Sequence, residues 1–128
     1  MYNGFERRQL ERFIIPGAQV HYKQHAGFKD AKAVSEKMPL IDFTKISVRF
    51  KSKHTLQSGA LVELVILIPG KKKIHVKGNV IWSTEATDNR EGYAVVQFLP
   101  FGTDARYNSM RAHDQLQKIE KEYQQTTT

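Results

Sequence analysis

Ile41-Asp42-Phe43-Thr44-Lys45-Ile46-Ser47-Val48-Arg49-Phe50-Lys51-Ser52-Lys53 is the stretch on which the architecture turns. Apolar residues fall on odd positions at its start, Ile41 and Phe43, and on even positions afterwards, Ile46, Val48 and Phe50. Side chains in a strand alternate faces, so the change of parity demands a turn or bulge around residues 44–45. Beyond it Ser47, Arg49, Lys51 and Lys53 share the face opposite Val48 and Phe50. The segment therefore reads as two strands, the second with one apolar and one basic side.

Working outward, residues 18–24 alternate weakly, with Val20 and Tyr22 against His21 and Lys23, and read as a first strand. Residues 25–39 contain Gly27 and Pro39 and read as a loop, with a short strand near residues 31–34. Gly59 opens a strand over residues 60–68, whose aliphatic run calls for burial on both faces or a bulge. Pro69-Gly70-Lys71-Lys72-Lys73 is a turn with a solvated tip. Ile74, Val76, Val80 and Trp82 then alternate against His75, Lys77 and Asn79, a strand that puts Trp82 on the core side. Asp88-Asn89-Arg90-Glu91-Gly92 makes the next turn, and residues 93–99 close a meander. From Thr103 to Tyr123 the pattern is helical, with Tyr107, Met110, Leu116, Ile119 and Tyr123 on one stripe. Short strands, hairpin-sized turns and a final helix predict an all-β protein, a small antiparallel barrel capped by a C-terminal α-helix.

The bulk numbers agree with one domain. The chain has 128 residues, 40% hydrophobic and 26% charged, an ordinary globular composition able to build a core. It divides into an N-terminal arm over residues 1–15, a barrel over 16–102 and a helix with a frayed tail over 103–128. No apolar run reaches membrane-spanning length, and arginines interrupt any signal-like stretch near the start. Zero cysteines exclude disulfides and thiolate metal sites and fit a cytoplasmic location. A net charge of +7 favours anionic partners.

Two motifs carry chemistry. Glu6-Arg7-Arg8-Gln9-Leu10-Glu11-Arg12 places Arg8 and Arg12 four residues apart, on one side of the chain whether it is helical or extended. Guanidinium is a planar fork that takes phosphate oxygens or the O6/N7 edge of guanine in bidentate fashion, and it stacks on purines. The second motif is the Asp42-Phe43-Thr44-Lys45-Ile46-Ser47 turn. The order of these motifs, with Val80-Ile81-Trp82 and Gly92-Tyr93-Ala94-Val95-Val96-Gln97-Phe98 after them, resembles the PilZ domain family over residues 6–101. The resemblance implies a six-stranded antiparallel barrel that binds cyclic di-GMP on its outer surface. It assigns the ligand to Arg8 and Arg12, with Arg7 as an accessory, and to Asp42, Thr44 and Ser47 in the acidic, serine and final glycine positions of that family's turn. Thr44 keeps the hydroxyl. Ile46 and Ser47 stand where a Gly-Gly pair is common, and a β-branched Ile46 resists the positive φ that glycine permits.

Other constellations do not assemble. His21 and His25 have the spacing of a helical metal pair but begin on a strand, with no third ligand in view. No nucleophile elbow, Walker loop or carboxylate pair appears, so the chain reads as a non-enzyme without cofactor or metal. The expected partners are cyclic di-GMP and an effector protein, with the chain a monomer or weak homodimer and no membrane insertion. The alternative is a PilZ-like barrel that has lost nucleotide binding and serves as a protein interaction module. Single-stranded nucleic acid is disfavoured, because Trp82 and Phe50 share the apolar parity of their strands and the basic face of residues 47–53 holds no aromatic ring.

Overall fold

A computed structural model describes residues 12–24 and 34–125 of the chain. Six strands form a closed antiparallel barrel: β1 (Gln19–Gln24), β2 (Met38–Phe43), β3 (Ser47–Ser52), β4 (Leu61–Leu67), β5 (Ile74–Ser83) and β6 (Gly92–Phe98). Their order around the barrel is β1-β2-β3-β6-β5-β4, closed by pairing of β1 with β4. One helix, α1 (Met110–Gln125), follows. Closure pairs both edges of the sheet, so no strand is left as an open template for aggregation.

Alternation builds the interior. Val20 and Tyr22, Val48 and Phe50, Val62, Leu64 and Ile66, Ile74 and Val76, and Ala94, Val96 and Phe98 all point inward and are buried. In β4 the aliphatic run needs neither a bulge nor full burial of both faces: Val62, Leu64 and Ile66 face in, while Leu61, Val65 and Leu67 lie half-buried outside. The β4–β5 turn is the one the sequence demands, with Gly70 at φ 77° after Pro69 and the Lys71 N–H donating to the Ile68 carbonyl at 3.0 Å. A Cβ at Gly78 would run into the Gln97 carbonyl, so β5 and β6 approach this closely only with glycine there.

Two interruptions of alternation re-aim side chains on the outer surface. Between Leu40 and Asp42 the register against β3 shifts by one residue, with Leu40 opposite Phe50 and Asp42 opposite Arg49. Ile41 is the extra residue of a bulge, so the bulge lies ahead of the turn rather than at residues 44–45, where the chain simply reverses. A second shift lies between Val80 and Trp82, which sit opposite Val96 and Val95, and here Ile81 is the extra residue. The bulge turns Trp82 outward, contrary to the expectation that it joins the core: Trp82 is 48% exposed and Ile81 53%.

The helix begins later than its sequence periodicity suggests. Residues 103–109 form turns, fixed by the buried Asn108 side chain, which accepts the Lys77 N–H at 2.6 Å and donates to the Lys77 and Leu99 carbonyls. Ser109 then caps the helix by accepting the Ala112 N–H at 3.1 Å. Ala112 and Ile119 are buried, with Leu116 and Tyr123 packed partly against the core, whereas Tyr107 and Met110 are exposed and leave the expected stripe. The short strand expected near residues 31–34 falls mostly outside the described residues, and Val34 itself is not in a strand. Among the described residues no helix is long and apolar enough to cross a membrane.

Candidate functional site

The arm meets the barrel at Phe13. Its N–H and carbonyl exchange two hydrogen bonds of 2.9 Å with Phe43, and the two rings stack with centroids 5.4 Å apart. This bridge extends the sheet by a few atoms beside the end of β2 and sets Arg12 next to Asp42. Arg12 Nη1 donates to Asp42 Oδ1 at 3.2 Å, and Arg49 Nη2 donates to Asp42 Oδ2 at 2.6 Å. One carboxylate, 6% exposed in its side chain, therefore holds two guanidinium groups that are 56% and 37% exposed. A buried carboxylate needs such partners, since an ion shut from water and left unpaired is costly. The Arg49 Nε is shut from water and makes no hydrogen bond.

The turn beyond Asp42 is tied by its own hydroxyls. The Thr44 N–H donates to the Ser47 carbonyl at 2.9 Å across Lys45 and Ile46, and the Ile46 N–H donates to Thr44 Oγ1 at 3.2 Å. Thr44 Oγ1 and Ser47 Oγ lie 2.7 Å apart and share a hydrogen. Ser47 thus engages the Thr44 hydroxyl within the turn itself. Ile46 is 42% exposed at the rim. On the other side of the turn a cleft lined by Phe13, Thr44, Lys45, Phe101, His113 and Glu120 separates it from α1.

Of the six residues singled out in the sequence, the structure brings Arg12 and Asp42 into contact and puts Thr44 and Ser47 together in the adjoining turn. Arg7 and Arg8 lie outside the described residues, as does His25. His21 Nδ1 donates to the Ser35 carbonyl at 2.8 Å, and no group of three metal-ligating side chains occurs among the described residues. Lys53, in sequence the end of the basic face, pairs with Glu36, whose hydrogen bond and charge raise the lysine above its usual pKa.

Sequence reasoning missed the neighbouring surface. Ile41, Arg49, Lys51, Trp82 and Tyr93 line one shallow groove on the outside of the barrel. Asp42 pairs across strands with Arg49, Arg49 with Val95, Val95 with Trp82, and Lys51 with Tyr93. The basic face of β3 therefore does have aromatic neighbours, supplied by β6 and by the bulged end of β5. The signal was present in Val80-Ile81-Trp82, three apolar residues in a row that fit either parity.

No curated protein and no solved structure matches the chain. The family model described as PilZ domain matches residues 6–112, which include the arginine-bearing arm, the whole barrel and the first turn of α1. With most of the chain covered, and with the closed six-stranded barrel and its motif-bearing turn in place, the chain belongs to the PilZ domain family.

Proposed function

We propose that the chain is a receptor for cyclic di-GMP that binds without catalysis and acts through a conformational change on an effector protein, in the cytoplasm, as a monomer or weak homodimer. The observation that carries this reading is the convergence of Arg12 and Arg49 on Asp42, beside a groove lined by half-buried Lys51 and by Trp82 and Tyr93, both exposed to solvent. Guanidinium forks suit both the phosphates and the guanine edges of such a ligand, and the rings offer faces to its bases. Arg7 and Arg8 join Arg12 from the arm, while Asp42, Thr44 and Ser47 complete the site from the turn. Binding orders the arm, and the cleft between the turn and α1 is the route by which a shift at Thr44 and Lys45 reaches the helix. Ordering a segment reduces the net affinity, so a micromolar rather than picomolar constant is expected.

Calorimetric titration with cyclic di-GMP at about 0.15 M salt, with GMP as control, tests the proposal. Saturable binding absent with GMP supports it, and no binding by calorimetry or a second probe sinks it. Arg8→Ala and Arg12→Ala should each weaken binding at least about tenfold, or about 1.4 kcal/mol. Undiminished affinity in both would remove the arm from the site.

The paired hydroxyls of Thr44 and Ser47 favour a second reading, a barrel that has lost nucleotide binding and serves as an interaction module. Under it the native chain is silent in the titration, and the double substitution Ile46→Gly, Ser47→Gly creates affinity by freeing the Thr44 hydroxyl and opening the turn.

A further inference from the structure

We infer that the groove formed by Ile41, Arg49, Lys51, Trp82 and Tyr93 is a landing surface for single-stranded nucleic acid, whether or not the cyclic dinucleotide binds the same face. By strand parity alone the basic face of β3 lacks aromatic rings, which speaks against such a ligand. The bulge at Ile81 removes that objection, because it puts Trp82 outside, where it is 48% exposed, and Tyr93 beside Lys51 is 38% exposed.

Non-specific binding of single strands needs a cationic track for the backbone and ring faces for the bases. Both are present on adjacent strands. Lys51 sits directly opposite Tyr93, and Arg49 lies across Val95 from Trp82. Because Trp82 is in register with Val95, two residues along from Tyr93, Trp82 and Tyr93 hold diagonal positions on adjacent strands, where residues stand about 7–8 Å apart and large side chains lie within reach of one ligand. Arg49 spends one nitrogen on Asp42 at 2.6 Å, and with its side chain 37% exposed the outer part of its guanidinium is left to meet a phosphate or base oxygen. Asp42, the carboxylate in contact with Arg49, is already covered by two arginines, so it adds little repulsion. A net charge of +7 draws polyanions to the surface from a distance. Duplex nucleic acid keeps its bases stacked inside and cannot use the rings, so single strands are selected over duplexes.

Trp82 is the chain's only tryptophan, so its fluorescence reports on this groove alone. The test titrates a single-stranded, mixed-sequence oligonucleotide of about ten nucleotides, within the usual range for one small barrel. Binding is followed by Trp82 quenching and, with a fluorescein label, by anisotropy; the duplex form and cyclic di-GMP are run alongside. Saturable quenching is expected, weaker with the duplex, and log K should fall with log salt at a slope of about −1.4 for two phosphates engaged. Trp82→Ala and Tyr93→Ala should each weaken anisotropy-detected binding about tenfold, while Trp82→Phe, which keeps a ring, stays within about threefold of native. Circular dichroism confirms that each variant folds.

No saturable binding at low salt overturns the inference even if cyclic di-GMP quenches Trp82, an outcome that leaves the receptor reading standing. Binding that survives both alanine variants also overturns it, because the strand would then sit on another basic surface such as Lys71–Lys73. Binding of the oligonucleotide without the cyclic dinucleotide supports it and sinks the receptor reading instead.

Discussion

Replacing Asp42 by alanine should destabilise the barrel and loosen the arm together, because one carboxylate holds groups from both. The size follows from the two contacts. Removing one partner of a charge-assisted hydrogen bond costs about 1.5–3 kcal/mol when the other partner is left buried. Neither arginine is fully buried here, at 56% exposed for Arg12 and 37% for Arg49, so water takes up part of the loss. Discounting for that screening leaves about 0.5 kcal/mol for the longer Arg12 contact and about 1–2 kcal/mol for the 2.6 Å Arg49 contact. The two guanidinium groups also face each other without their shared counter-ion, so a total of about 2–3 kcal/mol is expected. In urea, with a slope of about 2 kcal/mol/M, this moves the unfolding midpoint down by about 1 M.

The assay is urea denaturation followed by circular dichroism and Trp82 emission, for native, Asp42→Ala, Arg49→Ala and the double variant. Arg49→Ala should cost less in the Asp42→Ala background than in the native one, by about 1 kcal/mol, which is the coupling between the pair. Asp42→Asn keeps the shape and one acceptor and should fall between. An Asp42→Ala midpoint within about 0.2 M of native, or single costs that add to within about 0.3 kcal/mol, refutes the shared-carboxylate account.

Burial raises the Tyr22 hydroxyl above its usual pKa of 10.0, against the lowering effect of the His54 and Lys53 N–H groups that donate to it. The folded state keeps this proton where the unfolded chain releases it, so the contribution is intact below about pH 10 and is lost as pH rises through the folded value; chemical denaturation across that window should show the decline. Tyr22→Phe should abolish this component and cost about 1–2 kcal/mol, since two backbone donors lose their acceptor. Asn108→Ala removes three buried hydrogen bonds and should cost about 3 kcal/mol, with the start of α1 losing amide-exchange protection first. Deleting Ile81, the extra residue of the β5 bulge, should let Val80 and Trp82 face Val96 and Val95 in regular pairing, so the barrel survives at a cost within about 1–2 kcal/mol and Trp82 stays outside. A folded deletion variant whose tryptophan emission shifts to that of a buried ring would contradict the bulge assignment.

Most of the architecture was legible because most strands obey alternation without interruption. The β4–β5 hairpin is the clearest case: Pro69-Gly70 dictates its turn, and Leu64 and Ile66 fall inward opposite Val76 and Ile74. The start of the helix was not legible, because Tyr107 and Met110 continue an apolar stripe that the side chain of Asn108 overrides by bonding to strand β5. A local pattern cannot register a buried amide 31 residues from its partner. The turn at residues 42–47 was located correctly, yet its internal bonding was hidden. Glycine-to-serine looks like lost freedom in the sequence, whereas in the fold Ser47 makes a positive bond to Thr44.

The groove was missed for a more specific reason, and the same reason explains why it exists. Both bulges belong to one row of the barrel, flanking the Arg49–Val95 pair, one toward β2 and the other toward β5. Had β2 paired regularly after Leu40–Phe50, Ile41 would oppose Arg49 and Asp42 would oppose Val48. The carboxylate would then point into the core beside Phe50, and Phe43 would point out. Had β5 paired regularly after Val80–Val96 with Ile81 in the ladder, Trp82 would oppose Ala94 and enter the same core. Each inserted residue exports one chemically useful side chain, Asp42 or Trp82, while the inward partners Phe43 and Val80 remain buried. Bulges cost ladder hydrogen bonds and are common where a side chain must be re-aimed. Two of them in one row, bracketing a basic pair of positions on β3, concentrate the carboxylate, both arginines and both rings on a single outer face, and only the pairing register could reveal that.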